Sequence, residues 1–108
     1  MPTALKNAYF AQVPAADTLL YTCPANTTAR VIKAVVTNDT TTVATLTVHQ
    51  GTAGDDTLLM NERAIGSQES YPCQDELVGV VLEAGDTLRG EASVAAQLTL
   101  RIDVMEVV

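Results

Sequence analysis

Between residues 43 and 49 every second side chain is apolar. Ala44, Leu46 and Val48 fall in one phase, and Thr45, Thr47 and His49 in the other. Strict period two in a Val- and Thr-rich run describes a strand with one face in a core and leaves no room for a helix. The run before it, 30–37, is apolar in both phases. Ile32, Ala34 and Val36 share one phase, while Val31 and Val35 flank Lys33 in the other. Such a strand is either covered on both sides or meets another chain with its outer face. Asn38, Asp39 and three threonines join the two runs, and Asn and Asp bond their own backbone and tolerate positive φ. Together they read as a β-hairpin, which makes the chain all-β.

The rest of the sequence repeats short strand signals. Residues 1–14 form an extended arm holding Tyr9 and Phe10, with 8–13 suited to an edge strand or to a neighbouring subunit's surface. A single domain follows over 15–108. Its first strand, 17–22, stops at Pro24, which removes a ladder donor. The region 51–72 is the least regular. It reads as a glycine turn at 51–54, a short strand near 57–61 in competition with a helical turn at 61–65, a long loop, and a short strand near Glu69. The continuous apolar run 76–82 suits a buried strand, and Gly85 turns the chain into 87–92. In the last strand Leu98, Leu100, Ile102 and Val104 face inward. Met105 and Val107 continue it in shifted phase, through a bulge. About eight short strands favour an antiparallel β-sandwich. A jelly roll is preferred to an immunoglobulin-like topology, whose Cys…Trp…Cys spacing is missing.

Composition narrows the function. With no Trp and one Phe the core is aliphatic. No window approaches the roughly 18 apolar residues of a membrane span, and the first residues lack the plan of a secretory signal. That weakens the glycosylation reading of the Asn-x-Thr triplets at Asn26 and Asn38. Net charge is −7, and nine of the 13 acids fall in residues 55–91 against only Arg63 and Arg89. Nucleic-acid binding needs a basic face, and none is expected. The acidic stretch reads as a solvated face. Cys23 and Cys73 are either bridged or, as cytosolic synthesis favours, buried free thiols. They make no zinc site by spacing. His49, the sole histidine, has no evident partner. The adjacent acids Asp55–Asp56 and Asp75–Glu76 point oppositely on extended backbone, which does not suit acid–base chemistry; in a loop they could offer oxygens to calcium, but no EF-hand-like spacing supports it. No cofactor, no metal and no enzymatic activity are expected.

Two stretches carry a resemblance. The first runs from Leu20 through Cys23, Pro24, Ala25 and Thr28 to Asn38. The second is Val81, Leu82, Glu83, Ala84, Gly85, Asp86, Thr87 and Leu88. Together they resemble small β-sandwich virion proteins of tailed bacteriophages, in which a strand, a Pro-Ala-x-Thr turn and a strand ending at Asn precede a Leu-x-Ala-Gly-Asp-x-Leu turn. The resemblance implies a non-enzymatic structural component, made in the host cytoplasm and carried in the virion. It implies a homo-oligomer, as a trimer, bound to the major capsid protein or another virion protein as a decoration (cement) subunit. A tail, baseplate or fibre part is the alternative. A carbohydrate-binding sandwich is the third reading, disfavoured because no Trp is available to stack on sugars. Binding only the assembled shell would stabilise it by linkage. The residues expected at such contacts are Tyr9 and Phe10, Val31, Lys33 and Val35, and Met105, Val107 and Val108.

Overall fold

A computed structural model of the protein describes residues 3–52, 55–74 and 76–108. Among them the chain forms nine strands: β1 Thr3–Gln12, β2 Thr18–Thr22, β3 Thr28–Asn38, β4 Ala44–Thr52, β5 Asp55–Ile65, β6 Ser70–Pro72, β7 Val81–Leu82, β8 Thr87–Ala92 and β9 Leu98–Val107. They build two antiparallel sheets. The first has the order β1-β9-β3-β6, with β7 also paired to β3, and the second the order β2-β8-β4-β5. The pairings β1·β9, β2·β8, β3·β6 and β4·β5 are nested, as if one long hairpin had been rolled around a barrel axis. That is the jelly-roll winding, with β7 as a two-residue addition.

Apolar side chains from the two inner faces fill the space between the sheets. Leu98, Leu100, Ile102 and Val104 of β9 are wholly buried, as the alternation predicts, and meet Leu46 and Val48 of β4 and Leu88 of β8. No Trp is needed, because rows of Val and Leu interdigitate at the roughly 10 Å spacing of packed sheets.

Four expectations are corrected. First, 30–37 and 43–49 are not a hairpin, because β3 and β4 lie in opposite sheets and face each other across the core. The two apolar faces are buried against one another, which side-by-side pairing would not achieve. Buried Asn38 organises the crossing. Its Nδ2 donates to the carbonyls of Thr42 (2.8 Å) and Ile65 (3.1 Å), and its Oδ1 accepts from the Thr40 amide at 3.0 Å.

Second, the phase of β3 reverses midway. Its pairing with β9 shifts between Val31 and Lys33, so Ala29 and Val31 point inward, Ile32 is the extra residue, and Ala34 and Val36 then take over the inner face. A matching shift lies in β1 between Asn7 and Tyr9, at the same level of β9. The bulges belong to the neighbours of β9 rather than to β9 itself. Met105 and Val107 therefore keep the outward phase of Arg101 and Asp103. The inward position goes to Glu106, whose carboxylate accepts a hydrogen bond from the Tyr21 hydroxyl.

Third, 55–65 is one eleven-residue strand along β4, in which Glu62 at φ 48° absorbs a change of register. No helical turn forms at 61–65.

Fourth, 76–82 is mostly a turn. The Leu77 amide donates to the Cys73 carbonyl, and Gly79 at φ 93° donates to the Val31 carbonyl, leaving only Val81–Leu82 as strand. Apolar residues enter the core here from a turn at Leu77 and from the short β7 at Leu82. The turn expected at 51–54 and the acid pairs at 55–56 and 75–76 lie wholly or partly outside the described residues and side chains.

Candidate interaction surface

The outer face of the first sheet follows from the alternation of its central strand. Arg101, Asp103, Met105 and Val107 of β9 point away from the core. Phe10, Asn7, Leu5 and Thr3 of β1 stand beside them on one flank, and Val35, Lys33, Arg30 and Thr28 of β3 on the other. Leu5 is 75 % exposed, Phe10 64 % and the bulged Ile32 40 %. Ile32 lines two adjoining shallow depressions, one shared with Leu5 and Asp103, the other with Val35, Pro72 and Val78. An apolar track, interrupted by polar side chains, therefore crosses the sheet from its β1 edge to Pro72 and Val78.

The polar groups in that track are largely occupied. Asn7 Nδ2 donates to Asp103 Oδ1 at 2.8 Å, Arg101 Nε donates to Asp103 Oδ2 at 3.2 Å, and the Arg101 guanidinium lies 5.6 Å from the Phe10 ring centre. Arg30, Lys33 and Arg101 outnumber the single Asp103, so this face is locally cationic on a chain whose net charge is −7. Lys6, at the edge, is taken up by Glu106 at 3.7 Å.

The outer face of the second sheet is different in kind. Thr45, Thr47, Asn61, Glu62, Glu91 and Ser93 line a polar groove, and the Glu62 amide donates to Thr47 Oγ1 at 3.0 Å. Further along, Asp17 bridges two partners, with His49 Nε2 2.9 Å from Oδ1 and Arg89 Nε 2.9 Å from Oδ2. Arg89 first, then His49, holds the Asp17 carboxyl below the usual carboxylate range. His49 thus has the partner that the sequence did not reveal. Leu19 and Leu58 are exposed at the margins, opposite Arg89 and His49.

Of the residues expected at contacts, Phe10, Lys33, Val35, Met105 and Val107 converge on the one outer face, although they come from three strands. Val108 is exposed at its end. Tyr9 is turned toward the core, half-buried, with its hydroxyl on the Gln12 carbonyl at 3.1 Å. Val31 is a correction. It is 1 % exposed and part of the core, because the bulge exchanges its phase with that of Ile32. Ile32 and Leu5 are the members that sequence reasoning missed. Leu5 was legible as the one large aliphatic side chain of residues 3–12, whereas nothing in 30–37 announces a bulge.

Other chemistry is sparse. Among the described residues no group of three His, Cys, Asp or Glu side chains is arranged to hold a metal ion. Cys23 and Cys73 are separate, buried, free thiols. Burial, followed by the nearby Glu76 carboxylate, pushes Cys73 up to about 12, and burial raises Cys23 as well. The two stretches that carry the phage resemblance are brought together. Leu82 pairs with Ala29, Tyr21 with Leu88, and Cys23 exchanges backbone hydrogen bonds with Gly85 and Asp86.

No protein-family model matches the chain, and no curated protein does. Solved structures give weak overlaps. A pentameric capsid protein isolated from metagenomic phage sequences is 18 % identical with a TM-score of 0.47, over 93 % of this chain and 61 % of its own. A chain from the structure of infectious bursal disease virus Gx strain is 9 % identical with a TM-score of 0.46, over 97 % of this chain and 31 % of its own. The chain therefore spans less than two thirds of either.

Proposed function

We propose that this chain is a non-enzymatic structural protein of a tailed-phage particle, a decoration subunit that seats the outer face of its first sheet on the capsid shell and stabilises it. The observation that carries the reading is that face. Leu5, Phe10, Ile32, Val35, Met105 and Val107 form an apolar track with a cationic surplus, on a molecule otherwise strongly acidic. Exposed apolar surface collected on one side marks a binding surface, and the local positive charge favours a partner bearing carboxylates. The resemblance of 20–38 and 81–88 to virion β-sandwich proteins supplies the class of partner, and the packing of those stretches into one unit accords with it. A subunit that binds only the closed shell shifts assembly toward it.

The test uses shells of the major capsid protein from the same genome, mixed with the purified chain and sedimented. Val35→Glu combined with Met105→Glu places two carboxylates in the middle of the track and should weaken binding at least about tenfold, with far-UV circular dichroism showing that the double variant keeps its sheets. Binding that survives this double substitution would rule out the face. Immunogold labelling of whole particles on tails rather than heads would move the protein to the tail.

A further inference from the structure

Five strands end the two sheets; β7 is only two residues long, and three of the others are blunted in ways that prevent pairing with another chain. β2 is five residues long and breaks register between Leu19 and Tyr21. β6 is three residues long. β5 is long, but its register with β4 breaks twice and Glu62 sits at φ 48°. β1 is the exception. It runs ten residues without proline, carries Lys6 as its single charge, and no strand among the described residues pairs with its outer edge.

The bulge at Ala8 gives that edge a symmetry. Along β1 the outward side chains are Thr3, Leu5 and Asn7 before the bulge and Phe10 and Gln12 after it, as their partners on β9 require. In an unbulged strand, odd and even positions lie on opposite faces, so pairing an odd residue with an even one would set outward against inward. Here the phase changes at the middle of the strand, and the facing pattern reads nearly alike from both ends. Antiparallel pairing of β1 with a second β1 about its midpoint sets Thr3 opposite Gln12, Ala4 opposite Ala11, Leu5 opposite Phe10 and Lys6 opposite Tyr9. In each of these pairs both side chains lie on the same face. The register of longest overlap is thus also the one that matches faces, places an aliphatic against an aromatic side chain, and keeps the two Lys6 ammonium groups from standing opposite one another.

We infer that β1 is a two-fold self-association edge, at which a second copy of this chain adds its own β1 and joins the two first sheets into one. A foreign strand would not need the near-palindromic facing, whereas a two-fold contact does, since the same residues must serve on both sides. One strand pairing with two exposed apolar pairs is a small contact, so the dimer is weak and concentration-dependent in solution. It strengthens where copies are held side by side on a larger assembly.

The experiment compares two double variants by analytical ultracentrifugation over a concentration series, with amide hydrogen exchange of residues 3–12 as a second readout. Leu5→Lys with Phe10→Lys sets like charges opposite each other twice across the two-fold. Leu5→Lys with Phe10→Glu sets opposite charges there. Both remove the same exposed apolar groups, and both positions are already largely exposed, so folding is retained. Wild type should show a dimer with β1 amides increasingly protected at higher concentration. The Lys/Glu variant should also dimerise, with a dissociation constant at least about tenfold lower than the Lys/Lys variant. Equal association of the two variants, or a wild-type chain that stays monomeric at the highest concentration reached, overturns the inference. Neither result depends on binding to a capsid.

Discussion

Asn38 shows how much one side chain can decide. It is wholly buried, and its carboxamide serves two carbonyls and one amide at the point where the chain leaves one sheet for the other. Asn38→Ala leaves the buried Ile65 carbonyl without its donor, whereas the Thr42 carbonyl keeps Gln97, and should lower stability by roughly 1–3 kcal/mol, measured by urea unfolding. A smaller loss would mean that solvent reaches the arch. Two other buried groups give the molecule an alkaline limit. Burial and then Glu76 hold the Cys73 thiol up to about 12, and burial and then the hydrogen bond to Glu106 raise the Tyr21 phenol. In the unfolded chain a thiol titrates near 8.5 and a phenol near 10. From about pH 9 upward the unfolded state therefore sheds protons that the folded state keeps, and stability falls as pH rises. Melting temperatures between pH 8 and 11 should decline, and less steeply for Cys73→Ala. An identical slope in that variant would remove the thiol from the account. At this scale the sequence was a partial guide. The inward set of β9 is written in plain alternation, but Val31 and Ile32 are chemically near-equivalent, so only the bulge determines which is core and which is surface.

At the level of strands, Gly90 explains why β8 can lie between β2 and β4. A β-carbon there would come within 3.0 Å of the Thr47 carbonyl oxygen and 3.1 Å of Leu20 Cδ1. Backbone cannot yield as a flexible side chain would, so Gly90→Ala should cost about 1–3 kcal/mol. A variant as stable as the wild type would show that the sheet tolerates local spreading. Most strands were visible from their period and turn residues, including β8 to the residue and the Gly85 turn. What period cannot convey is pairing. The runs around Asn38 look the same whether they return side by side or arch across a core, since both arrangements use a polar turn between two apolar faces. The choice rests on distant partners, β9 for β3 and β8 for β4, that no local window contains. The apolar run 76–82 misled for a related reason, because Leu77 is as fully buried in a turn as Leu82 is in the short β7.

For the molecule as a whole, the sequence showed where negative charge accumulates but not that Arg30, Lys33 and Arg101 share one face with the exposed apolar residues. That needed the register of three strands, and with it the outer face of the first sheet became the candidate surface. The nested pairing also sets the kinetics. Every ribbon pair except β4·β5 closes over a long loop, so non-local contacts dominate and refolding should take milliseconds to seconds rather than microseconds. Stopped-flow dilution from urea checks this, and a microsecond phase carrying the full amplitude would contradict it. The outermost pair, β1 with β9, joins the first strand to the last. During translation at about 5–20 residues per second, β1 waits roughly 5–20 seconds for its partner to leave the ribosome. For that interval Leu5 and Phe10 belong to a solitary, sticky strand on a crowded polysome, where a nascent neighbour offers the same strand.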